Sequence, residues 1–343
     1  MPIKKRPRNR WTRQRVANKM HIPDEMILPE LQPFARIARK TVPYLTPTKV
    51  RVINTLANIQ RGIARPSLTY EQHFIARPDG SLLRLCVYTA LNRSHNVPGI
   101  LFLHGGGYAL EAPETEAFII QRFIDATGAV VVAPDYRLST EAPYPAALDD
   151  AYLALQWLQQ HGTEYGMRDD QIMVAGDSAG GGLTAGLTLY NRDHGNVGIA
   201  FQVPLYPMLD DRMITESSRD NDAPVWNTRS NELAWHMYLD DQFSDDNVPI
   251  YAAPARATDL HGLPPTCTYV GDIEPFYDET VQYMQRLHDA GVPTFIKIYA
   301  GCFHGFDATC YNSTPAHEAV QFLTETLQYA TKHYFKPQPK VSA

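Results

Sequence analysis

Six short apolar runs, at residues 99–103, 129–133, 172–175, 200–205, 266–270 and 294–299, are separated by stretches long enough for a helix, and this alternation leaves few folds open. Parallel strands need a crossover that a tight turn cannot supply, so the pattern predicts a mostly parallel central sheet flanked by helices, an α/β architecture. Ahead of these runs, residues 70–76 and 82–89 flank Pro78-Asp79-Gly80, a turn sequence that predicts a β-hairpin. One crossover helix is well marked. Pro145 stands near its start, Leu148, Ala151, Tyr152, Leu155 and Leu158 recur on one face, and Gly162 suits its end.

Two segments depart from this rhythm. Between residues 24 and 63, Met26, Leu28 and Leu31, then Val50, Val52, Leu56 and Ile59, recur at helical spacing and are broken by Pro33, Pro43 and Pro47, which predicts short helices joined by proline turns. Residues 210–247 are polar and aromatic, contain a helical stretch over 231–239, and read as a cap insertion. The expected organisation is a basic, poorly ordered tail over 1–23, an N-terminal helical segment over 24–66, a core over 67–209 and 248–335, and the insertion over 210–247.

Composition excludes several classes. The 343 residues are 44% hydrophobic and 20% charged, the profile of a globular protein, and no run approaches the roughly 20 apolar residues of a membrane-spanning helix. The four cysteines, Cys86, Cys267, Cys302 and Cys310, form no CxxC pair, so neither a disulfide framework nor a structural zinc site is predicted. The basic N-terminus lacks the apolar stretch of a secretory signal, and a cytoplasmic location is expected. The first twenty residues carry eight Lys and Arg and no acid, which leaves −14 on the other 323 against −6 for the whole chain. Such a tail can meet nucleic acid or an anionic membrane, but the acidic body carries no nucleic-acid-binding signature, and a nucleic-acid partner is not expected.

The chemistry concentrates in two glycine-rich motifs. Gly176-Asp177-Ser178-Ala179-Gly180-Gly181 follows the apolar run at 172–175 and precedes a helix-length stretch. A strand that turns sharply into a helix leaves no room for side chains two residues before or after the turn, and it exposes the central Ser178 as a nucleophile. His104-Gly105-Gly106-Gly107-Tyr108 follows the run at 99–103. Missing side chains there let backbone N–H groups approach a substrate oxygen, so Gly106 and Gly107, with Ala179, are the expected oxyanion donors and His104 the residue that orients the loop.

A nucleophilic serine needs a base. His304, in Gly301-Cys302-Phe303-His304-Gly305-Phe306, follows the last apolar run and comes after the serine, the order this arrangement requires. The acid that orients it should lie after the run at 266–270, where Asp272, Glu274, Asp278 and Glu279 are equally placed by spacing.

HGGGY, GDSAGG, Asp135-Tyr136-Arg137-Leu138, the stretch from Tyr144 to Asp150, and Tyr206-Pro207 together resemble the hormone-sensitive-lipase-like esterases of the α/β-hydrolase superfamily, over about residues 98–330. The resemblance implies an α/β-hydrolase fold with a helical cap built from the N-terminal segment and a later insertion. It implies a serine carboxylesterase acting on short-chain esters through an acyl-serine, with Ser178, Glu274 and His304 as its triad. Glu274 is carried over because the family's acid stands directly before a proline, here Pro275. Asp is usual at that position, so glutamate is a departure. A small-molecule ester is the implied partner, no metal and no organic cofactor is called for, and homodimers are common among the relatives. Lactone or amide hydrolysis would use the same machinery, and a binding-only homologue would typically lack a triad member.

Overall fold

The computed structural model describes residues 21–63, 65–243 and 245–339. An eight-stranded sheet in the order β1-β2-β4-β3-β5-β6-β7-β8 forms its centre. The hairpin is present as β1 (Leu68–Ala76) and β2 (Leu82–Ala90), paired antiparallel from Leu68 opposite Ala90 to Ala76 opposite Leu82. The six apolar runs are β3 (Val97–Leu103), β4 (Val130–Pro134), β5 (Met167–Asp177), β6 (Ile199–Leu205), β7 (Thr266–Gly271) and β8 (Thr294–Tyr299). β2 meets β4 antiparallel, and every pairing from β4 through β3 to β8 is parallel.

Helices α1 (Gln32–Thr41) and α2 (Pro47–Gln60) precede the sheet. Pro33 and Pro47 open these helices rather than break them, because proline lacks only an N–H that the first turn leaves unpaired. The crossovers are α3 (Ala117–Thr127), α4 (Ala146–His161) and α5 (Ser178–His194), followed by α6 (Thr228–Leu239), α7 (Tyr277–Asp289), α8 (Phe306–Thr309) and α9 (Thr314–His333).

Strand alternation sorts the core into two layers. Leu101, Leu103, Val130, Val132 and Val174 pack with α4 and α5 through Leu148, Leu155, Leu158, Leu183 and Leu187. Their neighbours Ile100, Phe102, Val131, Ala133 and Met173 face the other way, onto Ile120 and Phe123 of α3 and Leu323 and Leu327 of α9. Among the described residues no helix is long and apolar enough to cross a membrane.

Residues 1–20 of the basic tail lie outside the described residues. The end of the segment assigned to that tail is anchored: Ile22 is buried and its N–H donates to Asp222 at 2.8 Å. The N-terminal helices and the 210–247 segment meet: Leu45 N–H donates to Ser230 Oγ at 3.0 Å and Asn227 Nδ2 to the Pro43 carbonyl at 2.6 Å.

Glu114 ties the end of this helical segment to the sheet. Its carboxylate accepts from Gly62 N–H at 2.8 Å, the Tyr70 hydroxyl at 2.7 Å and Arg84 Nη2 at 3.1 Å. Burial alone would raise its pKa, but the Arg84 guanidinium and these donors outweigh burial and hold it at about 2 instead of 4.5. A folded-state pKa below the unfolded one adds stability that is present above the unfolded value and lost as pH falls through the folded one. Urea unfolding of the wild type should weaken from about pH 5 to about pH 3, and Glu114→Gln should flatten that slope while lowering stability at pH 5. An unchanged slope in the variant would remove Glu114 as its source.

Candidate active site

The turn from β5 into α5 places Ser178 at the first helical position with φ +54°. A β-carbon at Gly176 would stand 2.5 Å from the carbonyl oxygens of both Gly180 and Leu103, and one at Gly180 would run into the Leu103 and His104 carbonyls. Only glycine fits at either site, and the crowding is what holds the serine in a strained left-handed conformation. Met208 N–H donates to the Ser178 carbonyl at 2.9 Å, which fixes the elbow from the β6 side.

His304 arrives from the loop between β8 and α8. Its Nε2 lies 2.8 Å from Ser178 Oγ, and its Nδ1 contacts Glu274 Oε2 in a very short hydrogen bond. Glu274 is fully buried after β7, and its Oε1 accepts Gly271 N–H at 3.1 Å. The four acids that spacing could not separate have distinct partners. Asp272 accepts Gly301 N–H at 2.7 Å, Asp278 accepts Ser217 N–H at 2.8 Å, and Glu279 accepts Leu209 N–H at 2.7 Å. Glu274 is the one that reaches His304.

The loop after β3 brings Gly106 and Gly107 beside the elbow, and neither of their N–H groups has a hydrogen-bond acceptor among the described residues. Ala179 N–H belongs to the first turn of α5, where helix geometry supplies no partner and the helix dipole favours negative charge. His104 is buried, stacks on Tyr136 with ring centroids 4.2 Å apart, and is kept below its ordinary pKa by desolvation. The Tyr136 hydroxyl donates to the His104 carbonyl at 2.8 Å and so holds the loop. Asp177 packs beneath the same loop, within 2.5 Å of where a Gly105 β-carbon would stand. Burial, followed by the charges of Glu111 and Asp307, pushes its carboxyl well above the usual range.

Aromatic rings close over these groups. Tyr206 and Phe276 both meet His304 edge to face at 5.0 Å, and Trp226 lies 6.2 Å from it and against Gly107. Ser178 and His304 are each only 5% exposed. Sequence reading places Tyr206 in a family motif without a role; its Tyr-Pro position directly after β6 is the signal for its contact with the histidine. Among the described residues no three His, Cys, Asp or Glu side chains gather in a metal-binding group.

Comparison with known proteins identifies the family. The sequence profile of the alpha/beta hydrolase fold family matches residues 100–308. Esterase LipI of Mycobacterium tuberculosis is 34% identical over 210 residues, 61% of this chain and 65% of that protein, so the match spans just under two thirds of LipI. Carboxylesterase NlhH of the same organism is 31% identical over 244 residues, 70% of this chain and 76% of its own length. The structure of a bacterial heroin esterase superposes with a TM-score of 0.81 at 31% identity, covering 90% of this chain and 98% of that one. The chain belongs to the hormone-sensitive-lipase-like esterases of the α/β-hydrolase fold family, a family of carboxylic ester hydrolases.

Proposed function

We propose that this chain is a serine carboxylesterase that cleaves short-chain esters through an acyl-serine intermediate. The observation that carries the reading is the hydrogen-bonded line from Glu274 through His304 to Ser178 Oγ at the N-terminus of α5. His304 Nε2 takes the Ser178 proton as Oγ attacks the ester carbonyl, and Glu274 holds the imidazole tautomer and stabilises the imidazolium. The tetrahedral oxyanion rests on the N–H groups of Gly106, Gly107 and Ala179. His304 then returns the proton to the departing alkoxide. Water, deprotonated by the same histidine, attacks the acyl-serine, and His304 gives that proton to the departing Ser178 Oγ as the acid is released. No metal or organic cofactor enters these steps. The inward-facing side of the N-terminal segment over 24–66 and the insertion over 210–247 act as the cap that shapes the substrate pocket.

The short-chain preference rests on crowding by Trp226, Phe276 and Tyr206 around a nearly buried nucleophile. Hydrolysis of p-nitrophenyl esters from acetate to palmitate tests both activity and pocket: the wild type should favour the shortest chains. Trp226→Ala should raise kcat/KM for the hexanoate relative to the acetate by roughly tenfold, the scale of a few methylenes gaining apolar contact. An unchanged ratio would take Trp226 out of the acyl pocket. Absence of wild-type turnover on esters, with lactones or anilides cleaved instead, would move the assignment to those bonds.

A further inference from the structure

Helix α2 carries an apolar row on the wrong side. Its buried face is formed by Val50 and Ala57, with Ile53 and Asn54 half-buried beside them, and Asn54 Nδ2 donates to the Ala109 carbonyl at 2.8 Å just beyond the oxyanion loop. Val52, Leu56 and Ile59 lie on the outer surface at 54%, 58% and 69% exposure, and Ile63, in the turn that follows the helix, is 60% exposed. The spacing of four and three residues lines Val52, Leu56 and Ile59 up along one stripe of the helix. Three aligned aliphatic side chains this exposed, with a fourth in the following turn, need a cover that the described residues do not supply.

Charge identifies the cover. Between Glu30 and Glu71 the chain has seven Lys and Arg and no acidic residue. Lys40, Arg51, Arg61 and Arg65 are exposed, Arg51 on α2 itself and Arg61 at its C-terminal end. Two carboxylates that meet the end of this segment are engaged: Glu114 by Arg84 and Gly62, and Asp135 by Arg61 and Arg84. Including the first twenty residues, residues 1–70 carry fifteen Lys and Arg against three acids, a net +12, while the other 273 residues carry −18. An aliphatic stripe with cationic flanks is the composition of a helix that lies in a lipid interface, its side chains in the acyl boundary and its cations among anionic headgroups. A second copy of this face would bring like charges together. A nucleic acid would meet the cations but leave the aliphatic row in water.

We propose that the α2 face docks this protein on anionic lipid surfaces. The buried face of α2 packs just beyond the oxyanion loop, at Ala109, so docking sets the cap side of the site against the bilayer, where apolar esters dissolve. This goes beyond the esterase reading, and the docking holds or fails independently of the triad.

Co-sedimentation of the full chain with vesicles tests it. Binding is expected to phosphatidylcholine vesicles containing phosphatidylglycerol, to be at least about tenfold weaker on phosphatidylcholine alone, and to weaken in high salt. The variant L56S/I59S/I63S should lose about tenfold or more of that binding while hydrolysing p-nitrophenyl acetate at the wild-type rate, which also shows that it folds. Wild-type binding retained by the variant would overturn the proposal, because the basic tail alone would then explain it. Failure to bind anionic vesicles would overturn it too, with sedimentation velocity and an RNA shift identifying a second copy or a nucleic acid as the occupant instead. Loss of ester hydrolysis in the wild type, with vesicle binding intact, would refute the esterase reading and leave the docking standing.

Discussion

Replacing Ser178 by Ala, or His304 by Ala, is expected to lower kcat on p-nitrophenyl acetate by about 10⁴- to 10⁶-fold, and the double variant should lose little more. The reason lies in the geometry: His304 Nε2, 2.8 Å from Ser178 Oγ, has no task once the hydroxyl is gone, and the hydroxyl has no base once the imidazole is gone. The two act as one unit, so their effects do not add. Glu274→Gln should cost about 10⁴-fold, because an amide in that place no longer fixes the histidine tautomer that leaves Nε2 open to the serine proton. Asp272→Asn is the control. Its carboxylate holds Gly301 N–H rather than His304, so it should change kcat by no more than about tenfold. Burst kinetics with stopped-flow release of p-nitrophenolate would check the acyl-serine directly. A Ser178→Ala enzyme that keeps a burst, or single and double variants whose losses multiply, would end the proposed mechanism.

The sheet was legible because its signal is local. Each apolar run is bounded by turn residues, and the elements found at 97–103, 130–134 and 294–299 match their runs within two residues at each end. The elbow was legible for a different reason: Gly176, Ser178 and Gly180 are required by backbone crowding, and backbone crowding leaves a residue pattern. The acid was not. Asp272, Glu274, Asp278 and Glu279 differ only in where a tight turn aims them, and spacing does not encode that; a resemblance to a family pointed to Glu274, and the turn geometry brings it to His304. The direction faced by α2 was also hidden. Val52, Leu56 and Ile59 have the spacing of a core-facing helix, yet the helix buries Val50 and Ala57 instead. Periodicity predicts a helix and its amphipathic stripe, but not what that stripe lies against.

Asp150→Ala should destabilise the fold by about 3–5 kcal/mol, the loss expected when one partner of a buried ion pair is removed. Asp150, in α4, is fully buried and receives five hydrogen bonds: from Arg77 Nε at 2.7 Å and Nη2 at 3.0 Å, and from Arg137 N–H at 2.8 Å, Nε at 3.0 Å and Nη2 at 2.9 Å. Arg77 follows β1 and Arg137 follows β4, so one carboxylate joins the edge hairpin, the central sheet and a crossover helix. The Arg77 side chain is only 8% exposed, so truncating Asp150 strands a guanidinium that water hardly reaches. The cost comes from that stranded charge more than from the attraction lost, which makes a second prediction possible. Asp150→Leu combined with Arg77→Met should recover part of the deficit, because it removes the uncompensated cation and fills the space with apolar atoms. Arg137, 26% exposed, can turn its guanidinium towards solvent and needs no replacement. Urea unfolding of Asp150→Leu, Arg77→Met and the double variant measures the coupling. A loss below about 1 kcal/mol for Asp150→Ala would mean that water enters and solvates the arginines, and a double variant less stable than either single would mean that the pair itself, rather than the avoidance of a lone charge, holds these three elements together.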